Sequence, residues 1–344
     1  MPITGVFFIP SNPNASTVLS TVTERLHSNL ADEPVPIGRW ALEHKLMRDT
    51  PSCLPASTSE RPANPRYMQF LSLSYCPNHG FIYTSNPEKG TPQLHQHQQQ
   101  QQQQHTPIPG PGAPGQMPTL TPGSGGVNVD STAPLGMVMT TVPLPSCATL
   151  FQHFVYACQP FWCHRHTVTV PGGMVYDVGD FRVRVGDVRQ SQPTGRVRGT
   201  VVEIEWRGPS VVASITAQYT QQQRLTAHFE DTGGVAEDDD SGIDVLFAAA
   251  IEDADIDAEY ATTAVLIREF WSRLGIEGAR EAILVPDVGK EVKEQLRRLK
   301  MQADHKPSRM ADGEGSGQPK EEDPDPDAGV DVARQFMEIL RFNR

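Results

Sequence analysis

The 344-residue sequence has no CxxC pair, no glycine loop followed by GK[ST], and no run approaching the ~18 consecutive apolar residues that a membrane-spanning helix needs. Each absence removes a class of function: a thiol redox or zinc-ribbon protein, a phosphate-loop nucleotidase, an integral helical membrane protein. The five cysteines, Cys53, Cys76, Cys147, Cys158 and Cys163, are odd in number and scattered, as expected in a reducing compartment. The first residues, MPITGVFFIPSNP, lack a basic stretch, and their apolar run is shorter than the ~7 to 15 residues of a secretory leader. A soluble intracellular protein is expected. No nucleophile paired with a base stands out, so no catalytic residue, cofactor or metal ligand is assigned.

What is present is unevenly distributed. The formal net charge is -12, and between Leu225 and Ile267 twelve acidic residues occur with no Lys or Arg, so this one segment accounts for the whole imbalance. It mixes aspartates with Ile243, Val245, Leu246, Phe247 and Ile256, a composition shared by activation-type segments and solubilising loops, and the loop is the expected reading. Thr106 to Pro145 holds nine Pro and seven Gly, too many for a packed element. Before it runs a tract of seven glutamines, Gln98 to Gln104, flanked by His95, His97 and His105. Histidines without a scaffold have no fixed ligand geometry, so a variable insertion is expected there, not a metal site.

The remaining segments show regular periodicity. MPITGVFFIP reads as a strand, and STVLSTVTERLHSNL as a helix with Asn14 or Ser16 as its cap. In GRWALEHKLMRD, Trp40, Leu42, His44 and Leu46 recur at period two, a half-buried strand on whose apolar face His44 is structural. RYMQFLSLSY and GFIYTS form a hairpin across CPNHG. SCATLFQHFVYACQPFW is a helix capped by Ser146, with Leu150, Phe151, Phe154, Val155 and Cys158 on one face. WCHRHTVTV is a strand; Cys158, Cys163, His164 and His166 lack the paired spacing of a zinc site. VVASITAQY is expected to be a further strand. EYATTAVLIREFWSRLG is a helix ended by Gly275, DVGKEVKEQLRRLKMQ a charged amphipathic helix, and VARQFMEILRF a terminal helix. The expected organisation is one barrel-like domain with interruptions: strands and helix in 1–84, insertion in 85–145, helix and central strands in 146–230, acidic insertion in 231–258, packed helix in 259–275, charged helical segment in 276–302, acidic linker in 303–328, and C-terminal helix in 329–344.

The central hairpin is the most informative stretch. In DFRVRVGDV, Phe181, Val183 and Val185 share one face while Arg182 and Arg184 share the other. In GTVVEIEW, Val202, Ile204 and Trp206 lie opposite Glu203 and Glu205. Antiparallel pairing would set the arginines against the glutamates, pairs contributing about 0.2–1 kcal/mol each. The aromatics lie opposite the cations, which disfavours a nucleic-acid-binding sheet, and the separated Gly179 and Gly186 make no phosphate loop. Arg182, Arg184, Glu203 and Glu205 are expected on the outside, as candidate partner contacts. An enzyme or ligand-binding barrel is the alternative; it would need these charges to converge inside.

In order and spacing, the N-terminal strand and helix, RWALEHKLMRDTP, DFRVRVG, RGTVVEIEW, GPSVVAS, LIREFWSRLG and FMEILR resemble subunit 20 of the Mediator complex, fungal members above all. The resemblance implies an α+β fold, an antiparallel β-barrel with several packed helices, and a non-catalytic nuclear role as part of a coactivator of RNA polymerase II. It also implies a heterodimer with Mediator subunit 18, tethered to the head module by the C-terminal segment of subunit 8, with possible contact to the TATA-binding protein. The strand pattern and the lack of a long apolar run set the further expectation of no direct nucleic-acid or membrane partner.

Overall fold

A computed structural model describes residues 1–11, 18–55, 57–59, 66–84, 138–159, 161–191, 195–232, 248, 250–304 and 325–342. The Gln-rich tract, most of the Pro/Gly stretch, Asn14, Ser16 and the centre of the acidic segment lie outside them.

In chain order the elements are β1 (Thr4–Pro10), α1 (Val18–Asn29), β2 (Val35–Asp49), α2 (Thr50–Cys53), β3 (Tyr67–Leu73), β4 (His79–Thr84), β5 (Val138–Pro143), α3 (Leu144–Tyr156), β6 (Trp162–Val178), β7 (Phe181–Gln190) and β8 (Val197–Trp206). Then come α4 (Val211–Thr232), α5 (Asp253–Leu274), β9 (Arg280–Ala282), α6 (Lys290–Asp304) and α7 (Val330–Leu340). The nine strands form one antiparallel sheet in the order β5-β4-β3-β2-β6-β7-β8-β1-β9. The α+β class is as expected, but the sheet does not close into a barrel. Its edge strands β5 and β9 do not pair, and α7 packs against β9 and β1 at one edge and against β3, β4 and β5 at the other. A helix stands where the last ladder of a barrel would run.

Both faces of the sheet are therefore covered. On the α7 face, Val6, Phe8, Trp40, Leu42, Leu71, Leu73, Phe81, Val168, Val170, Val188 and Val201 pack around Ala333, Phe336, Met337 and Leu340. On the opposite face, Phe7, Ile9, Val183, Val185, Val202 and Ile204 meet Val22 and Leu26 of α1 and Ala264, Ile267, Phe270 and Leu274 of α5. Farther along that face α3 sets Cys147 and Phe151 on Met47, Met68 and Phe70. A third cluster joins Met1 and Ile3 to α4, α5 and α6 at one end of the sheet.

Two close approaches explain why glycine stands where it does. Trp40 Nε1 donates to the Val185 carbonyl at 3.2 Å, and a Cβ at Gly173 would fall 2.2 Å from that same nitrogen. Gly329 precedes α7 at φ +81°, and a Cβ there would stand 2.7 Å from Cys76 Sγ. The second glycine lets α7 enter against the β3–β4 turn.

Several expectations need correction. VVASITAQY is the start of α4, not a strand: Val212, Ile215, Thr216 and Tyr219 are buried at helical spacing, and Ser210 Oγ accepts from the Ala213 amide at 3.1 Å as a cap. Strand β5 and the first two residues of α3, Leu144 and Pro145, lie within the stretch read as an insertion, 85–145. The α3 helix begins at Leu144, Ser146 does not cap it, and Leu150 is exposed while Cys147 takes the buried position. The acidic stretch is helical at both ends, since α4 runs to Thr232 and α5 starts at Asp253, six residues before the Glu259 expected from periodicity. A capping box between Glu252 and Asp255 explains that early start. The αL stop of α5 at Gly275 is as expected.

Candidate functional site: the polar centre of the sheet

The central hairpin pairs in the expected register, Arg182 opposite Glu205 and Arg184 opposite Glu203, with Val183 opposite Ile204 on the other face. The side chains do not point to solvent. Because α7 and the β3–β4 turn cover the face that carries the charges, Arg184 and Glu203 are 7% and 1% exposed. The alternation was read correctly and the outside was not: two covered faces leave no solvent side for a period-two pattern to mark.

Three of the four residues come together. Arg184 Nη1 lies 2.6 Å from Glu203 Oε1 and 2.7 Å from Glu205 Oε2. Tyr75 donates its hydroxyl to Glu203 Oε2 at 2.6 Å, and the Arg184 guanidinium stacks 4.1 Å from the Tyr75 ring centroid. Arg182 is held apart by Asp177 at 2.9 Å, an acid it shares with Arg207. The hydrogen bond from Arg182 keeps the Asp177 carboxyl below the usual carboxylate range.

Burial opposes the Arg184 cation, but Glu203, Tyr75 and Glu205 outweigh it and hold its pKa above the ordinary value. Burial pushes Glu203 up against the pull of Arg184. Burial likewise raises the Tyr75 phenol, and, with Glu203 beside it, takes the Cys76 thiol to about 12. At neutral pH the thiol is therefore protonated and unreactive. The one guanidinium is shared between two carboxyl groups and a phenol, with no positive charge left over for a substrate. Charges on the enclosed face are what an enzymatic barrel would need, yet this set is closed on itself and α7 packs in the concavity beside it.

A second buried set, not singled out by sequence reasoning, anchors the start of α7. Tyr260 donates to Asp331 Oδ2 at 2.6 Å, the Gly289 amide donates to the same carboxylate at 3.1 Å, and Arg334 Nη1 reaches it at 3.0 Å. Arg334 also binds Glu291 of α6. Gln335 donates to the carbonyls of Thr4 and Ile283 at 2.7 and 2.9 Å and accepts from Thr4 Oγ1. The only trace of this in the sequence is three polar residues, Asp331, Arg334 and Gln335, close together in the first half of a mostly apolar helix.

The histidines are dispersed. His44 is buried with Trp40, Leu42 and Leu46, as its strand period predicts, and its Nε2 hydrogen-bonds Gln69 Oε1 at 2.9 Å. A register shift between Leu46 and Met47 turns His164 against Phe151 on the α3 face while His166 faces Phe342, so the two do not address one site. Cys163 pairs with Thr50. Among the described residues no three His, Cys, Asp or Glu side chains group as metal ligands.

Burial lowers the His44 pKa to about 3 from 6.5 despite the opposing Gln69 bond. The unfolded chain takes up this proton below about pH 6.5 and the folded chain does not. Stability is therefore complete above that pH and falls by about 1.4 kcal/mol per unit as pH drops toward 3. In urea melts at about pH 7 and about pH 5, His44→Asn should show a smaller loss than the parent. Some slope should remain, since burial also takes His166 down to about 4. An unchanged slope would mean that His44 titrates normally.

The family model described as the TATA-binding related factor (TRF) of subunit 20 of Mediator complex matches residues 1–341. The chain belongs to the Mediator subunit 20 family. Members are non-catalytic, nuclear subunits of a complex that regulates RNA polymerase II transcription. No curated protein matches the sequence significantly. Among solved structures the chain is similar to the PH1819 protein of Pyrococcus horikoshii OT3 (9% identity, TM-score 0.26, 71% of this chain and 97% of that one). It is also similar to a putative adenylyl cyclase from Hippeastrum with a dominant triphosphatase activity (9% identity, TM-score 0.22, 69% of this chain and 93% of that one). Neither likeness bears on the function of this subunit 20 family member, whose enclosed arginine is already neutralised.

Proposed function

We propose that this chain is an interaction subunit of the Mediator head module, paired in a heterodimer with subunit 18 and tethered through the C-terminal segment of subunit 8. The TATA-binding protein and the RNA polymerase II machinery are further contacts. The observation that favours binding over chemistry is the self-contained Arg184, Glu203, Glu205 and Tyr75 set, which leaves function to the surface. Of the four residues first considered, Arg182 retains part of its surface and, with Arg207 around Asp177, is the assigned partner contact. Arg184, Glu203 and Glu205 act from within by holding β7 on β8. Light scattering after size exclusion, on the chain alone and mixed with subunit 18 at micromolar concentration, tests the reading. A one-to-one complex is expected; two separate monomers would overturn it.

A further inference from the structure

At the C-terminal end of α7, away from the Asp331 anchor, the sheet opens on a cavity of about 470 Å³. Three arginines from three strands line it: Arg48 of β2, Arg165 of β6 and Arg198 of β8. No carboxylate is among its lining residues, and among the described residues none of the three arginines forms an ion pair. The contrast with Arg184, Arg182 and Arg334 is sharp, since each of those has an acid within reach.

The unpaired groups are not simply solvated. The Nε–H groups of Arg48 and Arg198 are out of contact with water and have no hydrogen-bond partner. Buried donors without acceptors are uncommon in folded proteins and carry a desolvation penalty. Aromatic rings hold two of the guanidinium groups in place: Arg48 lies 5.8 Å from the Tyr67 centroid, and Arg198 lies 5.8 Å from that of Phe342. Stacked guanidinium groups are already ordered, so an incoming anion meets a reduced entropy cost.

We propose that this cavity docks an acidic peptide segment of a protein partner, whose carboxylates pair with Arg48, Arg165 and Arg198. Charge complementarity fixes the sign of the occupant. Peptide is favoured over free phosphate because the partly exposed rings of Tyr67 and Phe342 share the lining and offer apolar surface to the residues beside the acid. Its test uses the chain alone, so its outcome is independent of the subunit 18 heterodimer.

The probe is a fluorescein-labelled peptide of alternating aspartate and leucine, titrated with the full chain and followed by anisotropy. Its asparagine counterpart should bind about tenfold more weakly, and Arg165→Gln or Arg48→Gln should weaken the aspartate peptide to a similar degree, about tenfold. Arg165 is exposed, so its substitution leaves the fold intact. Arg273→Gln, on the α5 surface beside Glu269, should leave binding unchanged. Equal binding of the two peptides, or equal effects of Arg165→Gln and Arg273→Gln, would overturn the proposal. Displacement of the peptide by inorganic tripolyphosphate at concentrations well below the peptide's own Kd would also overturn it, by making the cavity a phosphate site.

Discussion

Arg184→Leu is expected to destabilise the fold by about 3–5 kcal/mol, the range for removing one partner of a buried ion pair. A surface pair would give about 0–1 kcal/mol, and an exposed cross-strand pair hardly more. What moves Arg184 into the larger class is its enclosure: the side chain is 8% exposed, and Glu203, at 1%, loses its only cation when the guanidinium goes. Tyr75 also loses the ring partner that holds the β3–β4 turn over β7. Urea unfolding at neutral pH reads the effect directly. The double variant Arg184→Leu with Glu203→Leu should recover part of the loss, because the stranded carboxylate goes with it. A single-variant loss below about 1 kcal/mol would mean that the pair is hydrated and works as a surface pair.

Phe336→Ala should cost about 3–5 kcal/mol, the usual range for a phenylalanine cut out of a packed core. Phe336 is fully buried and meets Trp40 with ring centroids 5.9 Å apart. Its neighbours come from strands on both flanks of α7, so no single element can shift to fill the hole. The variant should also increase exposure at the unpaired edges β5 and β9, visible as faster amide exchange there than in β2 and β6. If protection at the edges is unchanged, α7 does not brace the two sides of the sheet together.

Periodicity carried much of the fold. The β2 face of Trp40, Leu42, His44 and Leu46 and the β7–β8 register could be read directly, because each strand repeats the same two-residue rule over many positions. The same rule is silent about what covers a face, and so Arg184 and Glu203 were expected outside. In α4, β-branched composition suggested a strand, while the spacing of Val212, Ile215 and Tyr219 and the Ser210 cap specified a helix. Strand β5 lies inside the Pro- and Gly-rich stretch, which hid it. The Asp331, Arg334 and Gln335 contacts span 331 residues in the case of Gln335 and Thr4, a separation at which no local pattern leaves a mark. The arginine cavity was equally invisible, since Arg48, Arg165 and Arg198 sit on three strands and meet only once the sheet has curved around α7.

That span also sets an order of events during synthesis. The sheet's concave apolar lining is complete in sequence by Ala282, whereas the helix that fills it begins at Val330. A nascent chain must therefore carry Trp40, Leu42, Leu71, Phe81 and Val170 without their cover until α7 has been translated. Contacts this distant in sequence close slowly and leave apolar surface open to aggregation meanwhile. A chain synthesised only as far as Ala282 is therefore expected to expose this lining until α7 is added.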